Sequence, residues 1–194
     1  MELVNYYKKL LDFLSKLLKI NDNLPYLVVG KNNKILYSEA KIPFEYEENK
    51  GRFYSENNIL YINLDVGDIT KYHDELFTII YEFRRFYQLK QIEMYPDSCI
   101  ENKEIVKNWK YNYENYIESD DNKEYFKQDI EIDASVFTIY IYETIYLKEC
   151  FINADYPQEK CDKYYELFKN KYSKNDINLI LNDINFEPLI IFNL

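Results

Sequence analysis

Apolar residues recur at intervals of three and four between Glu2 and Lys19, at Leu3, Tyr6, Tyr7, Leu10, Leu14, Leu17 and Leu18, which predicts an amphipathic helix. The period then shortens. Pro25 to Gly30, Lys34 to Ser38, Arg52 to Tyr54 and Ile59 to Leu64 read as short strands. A KNN turn divides the first pair and a polar SENN cluster closes the second, so a small antiparallel meander is expected. Beyond Asp68 the helical period returns. Leu76, Ile79, Ile80, Phe83, Phe86, Tyr87 and Leu89 give His73 to Glu93 a broad apolar face, the predicted central helix, and Pro96 ends it. A polar passage carrying Trp109, Tyr111, Tyr113 and Tyr116 reads as either a helix or a packed loop. Lys123 to Phe151 predicts a second long helix with Ile130, Ala134, Phe137 and Ile141 on its inner stripe. Gln158 to Tyr172 and Asn175 to Ile184 predict two more. The apolar tail EPLIIFNL is expected to dock on the core, because it would invite aggregation if exposed. After the first helix, a run of strands and then a run of helices predict an α+β fold, a small antiparallel sheet packed on several helices.

The length of 194 residues suits one domain, 1–194, with a helix and short strands over 1–70 and mainly helices over 71–194. With 47% hydrophobic residues, including 22 Tyr and 12 Phe, the chain should fold rather than stay disordered. A formal net charge of -10 opposes a phosphate backbone, which is bound through Lys and Arg, so no direct nucleic-acid partner is expected. Lys8, Lys9, Asp12, Lys16 and Lys19 interrupt the first apolar stretch, which is neither a signal peptide nor a membrane span. Cys99, Cys150 and Cys161 form no CxxC pair and suit reduced thiols in a cytoplasm. Gly30, Gly51 and Gly67 match no phosphate loop or dinucleotide fingerprint, and no cofactor is expected. No feature fixes an oligomeric state.

Two stretches carry the candidate chemistry, FTIIYEFRRFYQ at Phe77 to Gln88 and IEIDASVF at Ile130 to Phe137. Together with GRFY and ILYINL, from about Gly51 to about Tyr142, they resemble the phage-associated relatives of the ImmA/IrrE metallopeptidases. The central helix of that family carries H-E-x-R-H with a Gln three residues on, and its next long helix carries E-x-D-A. The resemblance implies a zincin-like two-helix core. Two His at i and i+4 share one helical face and bind one zinc, the intervening Glu activates the bound water, and a carboxylate of the second helix completes the site. Here Tyr81 stands at the first His position and Arg85 at the second, while Glu82, Arg84 and Gln88 are retained. Glu131 and Asp133 match the acidic positions, and either could be the counterpart of the ligand.

A guanidinium has no lone pair to give, so Arg85 repels zinc where the family needs a donor. The sole histidine, His73, lies eight residues before Tyr81, roughly 12 Å along a helix, and replaces neither imidazole. Read alone, Tyr81, Glu82 and Arg85 make an ordinary helix with an i,i+3 ion pair of a few tenths of a kcal/mol. Read with the second helix, they form a vestigial site in which Arg85 takes the metal's place and pairs with Glu82, Glu131 or Asp133. No catalytic residue and no metal are then expected, and Arg84 and Gln88 make structural polar contacts. A cation loop at Glu118, Ser119, Asp120 and Asp121 is rejected, since it lacks the Gly and terminal Glu of a calcium loop.

Three functions remain. The first is a pseudoenzyme of phage or mobile-element origin that binds a protein partner. The second is an acidic inhibitor of a host defence nuclease, anti-CRISPR-like or a nucleic-acid mimic. The third, ranked last, is a metallopeptidase with unconventional ligands such as a Tyr81 tyrosinate.

Overall fold

The computed structural model describes residues 2–65, 73–118, 123–147 and 149–188. Among them the chain is mixed α and β, in the order α1 (Glu2–Leu18), β1 (Tyr26–Lys31), β2 (Lys34–Ser38), β3 (Gly51–Tyr54), β4 (Ile59–Asn63), α2 (His73–Met94), α3 (Lys103–Glu114), α4 (Asp129–Tyr146), α5 (Gln158–Lys171) and α6 (Lys174–Asp183). Gly67, Asp68, residues 119–121 of the acidic run and residues 189–194 of the tail lie outside the described residues. No described helix is long and apolar enough to cross a membrane. The contacts divide the chain into two compact units, Met1–Phe83 with Lys174–Leu194, and Arg84–Ser173, and α2 passes from the first to the second.

In the first unit the strand order is β2-β1-β4-β3. Asn32 and Asn33 both take positive φ, 54° and 56°, the backbone of a tight turn whose twist matches that of the flanking strands, and this closes the β1/β2 hairpin. Asn58, at φ 52°, serves the turn between β3 and β4. The expected antiparallel meander is corrected in the middle, where β1 and β4 run parallel, from Tyr26 opposite Ile59 to Gly30 opposite Asn63. Parallel neighbours need a long connection. Here it includes a strap, residues 39–50, pinned by a hydrogen bond from Glu39 N to Leu27 O and by Phe44 against Tyr54 and Tyr61. The Tyr61 hydroxyl both donates to Glu47 O and accepts from Glu47 N, and a β-carbon at Gly30 would collide with it. The inner strand β4 is buried throughout, whereas the edge strand β2 alternates. α1 packs on α6, and Phe186, the residue before the apolar tail, lies against Tyr6 and Phe13.

The second unit is built around α4, which is buried on nearly every side, Ile130, Ala134, Phe137 and Ile141 included. This helix is shorter than the expected Lys123 to Phe151. Tyr125–Lys127 form a 3-10 turn, and Gln128 adopts extended backbone while its side-chain amide bonds both Ile117 N and Ile117 O. At the far end Leu147 enters left-handed backbone, φ 53°. The passage that read as either helix or loop contains α3, where Asn102 caps Glu104 N and Trp109 is fully buried.

Candidate functional site

The motif of α2 spans the division between the two units. Tyr81 and Glu82 belong to the first unit and are half-buried. Glu82 Oε2 accepts from Phe53 N on the edge strand β3 at 3.0 Å, so this carboxylate caps an outward-facing strand amide. α2 begins at His73, as the sequence suggests.

In the second unit, Arg84 and Arg85 are adjacent in sequence and meet different carboxylates of α4. Arg84 is fully buried and grips Asp133 with two parallel bonds, Nε to Oδ2 at 2.7 Å and Nη2 to Oδ1 at 2.9 Å. Gln88 Nε2 adds a donor to Asp133 Oδ2 at 2.7 Å and reaches Ile130 O at 2.9 Å. The guanidinium carbon lies 4.6 Å from the ring centre of Phe137, 4.7 Å from Tyr87 and 5.2 Å from both Trp109 and Phe168. One arginine thus ties α2, α3, α4 and α5 together. Glu101, 3.7 Å from Arg84 Nη2, accepts from Lys171 at 2.6 Å and from the Tyr87 hydroxyl at 3.2 Å. The two cations and two carboxylates balance, as burial requires.

Burial pushes the Asp133 carboxyl upward against the pull of Arg84, while Asp133 holds Arg84 above its ordinary value in spite of burial. The two directions favour opposite charge states for Asp133. Its three N–H donors decide for the ionised pair, because an arginine does not give up its proton. Glu101 is held below the usual carboxylate range, its burial outweighed by Arg84 and Lys171.

Arg85 is 19% exposed at its side chain and donates from Nη1 to Glu131 Oε1 at 2.6 Å; Glu131 itself is fully buried. The same carboxylate accepts from the Tyr116 hydroxyl at 3.1 Å on Oε1 and from the Tyr125 hydroxyl on Oε2. The Arg85 guanidinium also stands 5.3 Å from the Tyr116 ring centre. In sequence Glu131 and Asp133 are equivalent candidates, and the structure separates them. Asp133 belongs to Arg84 and Gln88, and Glu131 faces Arg85.

These residues do not fit zinc. Arg85 has no lone pair, and its nitrogen already occupies one oxygen of Glu131. Among the described residues no group of three His, Cys, Asp or Glu is placed to hold a metal ion. Sequence reasoning named Tyr81, Glu82, Arg84, Arg85, Gln88, Glu131 and Asp133, but gave no role to Glu101, Trp109, Lys171 or Tyr125. The lone tryptophan was the one available signal among these. The three cysteines stand as thiols, and burial pushes that of Cys161 up to about 11, away from reactivity. No protein-family model, curated protein or solved structure matches the chain.

Proposed function

We propose that the chain is a metallopeptidase-like scaffold that works by binding a protein partner, with the Arg85 guanidinium standing in for the metal. The observation that carries this reading is the Arg85 to Glu131 bond of 2.6 Å, made at the second-histidine position to a buried carboxylate of the E-x-D-A helix. In the resembled family a divalent cation neutralises such a carboxylate. Here a fixed cation and two tyrosine hydroxyls do so, which supports Glu131 as the counterpart of the ligand and Asp133 as a structural partner. Glu82, which would activate water in that family, holds a strand amide instead. With no imidazole pair and with Glu82 so engaged, the fold keeps its shape without hydrolytic chemistry.

Elemental analysis of the purified full chain tests this. It should carry no stoichiometric zinc, and one tightly held zinc per chain would overturn the reading. The double substitution Tyr81→His with Arg85→His should create weak zinc binding, and adding Glu131→Gln should remove it. Zinc binding by the double variant that survives Glu131→Gln but is lost in Asp133→Asn would reverse the two carboxylate assignments.

A further inference from the structure

At the end of α4 the chain turns through Leu147 in left-handed backbone, a conformation that disfavours a residue with a β-carbon and usually selects Gly or Asn. Leu147 is nonetheless 84% exposed, and Phe151, four residues on, is 91% exposed. Neither side chain contributes to the core. Phe151 lines a cleft of about 300 Å³ within the same unit, with Val136, Ile139 and Ile152 on its apolar wall and Glu143 and Asp162 among its polar groups. Glu143 accepts from Cys150 N at 2.9 Å and from the Tyr165 hydroxyl at 2.7 Å, and Asp162 accepts from Gln158 at 2.9 Å. Among the described residues, the cations of this region pair elsewhere, Lys160 with Asp129 and Lys163 with Glu159. Among those same residues, Glu143 and Asp162 therefore face the cleft with no counter-charge.

Isolated exposed apolar residues are common on proteins. Here one of them, Phe151, lines a cleft, and that conjunction points to use. The volume is at the bottom of the range of about 300–1,000 Å³ for small-molecule sites, so it suits an anchoring side chain better than a cofactor. The projecting phenylalanine extends the apolar surface of the cleft outward, as a protein contact requires. The two carboxylates set the charge of the partner, and the net charge of -10 steers the same way.

We propose that this cleft docks a basic amphipathic segment of a protein partner, its apolar side chain entering against Val136 and Ile139 and its Lys or Arg meeting Glu143 and Asp162. The proposal rests on the reading of the chain as a binding scaffold and deepens it. The probe is a designed, fluorescein-labelled helix with leucine on one face and lysine on the other, followed by anisotropy on the full chain. A helix with glutamate in place of lysine is the control. The lysine helix should bind, and Phe151→Ser and the pair Glu143→Gln with Asp162→Asn should each weaken it roughly tenfold. Glu104→Gln, an exposed charge on α3, should leave binding unchanged. Phe151 is exposed, and Glu143→Gln keeps a carbonyl acceptor for the Cys150 amide and the Tyr165 hydroxyl, so these variants should fold, as circular dichroism would verify. No binding, equal binding to every variant, a preference for the glutamate helix, or attachment of Phe151 to neutral lipid vesicles instead would each overturn the proposal. Zinc content of the same preparation is read independently, so a zinc-free protein that ignores the lysine helix removes the cleft and leaves the scaffold reading standing.

Discussion

Arg84 and Arg85 are neighbours on one helix, yet they do different physical work. Arg84 lies at 0% exposure among four aromatic rings and satisfies Asp133 with a rigid two-bond fork. Arg85 reaches Glu131 through one nitrogen, keeps part of its surface in water, and shares that carboxylate with Tyr116 and Tyr125. Successive helical positions differ by roughly 100°, so adjacent arginines reach different partners of α4. The comparison teaches that two adjacent arginines can carry the same charge with different consequences. One closes the core of the second unit. The other neutralises a carboxylate that tyrosines already help to satisfy.

The largest effect should come from Arg84→Ala. It strands Asp133 with Gln88 as its remaining donor in that group and opens a void among Tyr87, Trp109, Phe137 and Phe168, for a loss of about 3–5 kcal/mol in urea unfolding. Arg84→Lys should also destabilise, because an ammonium cannot reproduce the fork. A loss under about 1 kcal/mol for Arg84→Ala would contradict the core role.

Arg85→Ala should cost less, about 2 kcal/mol, since Glu131 keeps two hydroxyl donors and Arg85 is already partly hydrated. In a Glu131→Gln background the same substitution should cost under about 1 kcal/mol, and the double-mutant cycle isolates the pair. An undiminished loss in that background would mean that Arg85 acts through packing.

How much of this was legible in the sequence varies with the range of the contacts. Local spacing placed β2 at Lys34–Ser38 and began α2 at His73, because periodicity and turn residues are properties of neighbours. The parallel β1/β4 pair was not legible, because it depends on a strap whose Phe44 and Glu47 meet Tyr61 of β4, contacts between residues more than ten positions apart. For the site, the motif exposed Arg84, Gln88, Glu131 and Asp133. It could not assign the carboxylates, which lie two residues apart on α4 and so face different ways, until the arginines were placed against them. Glu101 and Lys171, separated by 70 residues, carried no pattern at all.

A smaller effect should follow Leu147→Gly. Removing the β-carbon relieves the left-handed strain while losing little burial from a side chain that is 84% exposed, so stability should rise by about 0.5 kcal/mol. If the lysine helix binds less well to this more stable variant, the leucine serves binding at the expense of folding. A fall in stability would instead show that Leu147 packs on its surroundings.

The smallest effect concerns two tyrosines that sense Arg85. Burial, assisted by the Glu131 charge and opposed by Arg85, pushes the Tyr116 hydroxyl from its ordinary 10.0 up to about 12. Tyr116 is 41% exposed, but the hydroxyl end lies against Glu131, which is where the proton is held. Tyr156 is likewise pushed up to about 12, by burial first, with a hydrogen bond from Ser135 and the Arg85 charge pulling down and Glu131 pushing up. Both groups hold their protons more tightly folded than unfolded. Their contribution to stability is therefore fully present below about pH 10 and is lost as pH rises from about 10 to about 12. Arg84 bears on Tyr87 instead, pulling down a hydroxyl that burial raises. Arg85→Gln should thus move the Tyr116 and Tyr156 titrations to still higher pH, read as phenolate absorbance after subtracting Tyr116→Phe and Tyr156→Phe. A downward or null shift would mean that the Arg85 charge is screened from the carboxylate it faces, and the two arginines would then differ in packing alone.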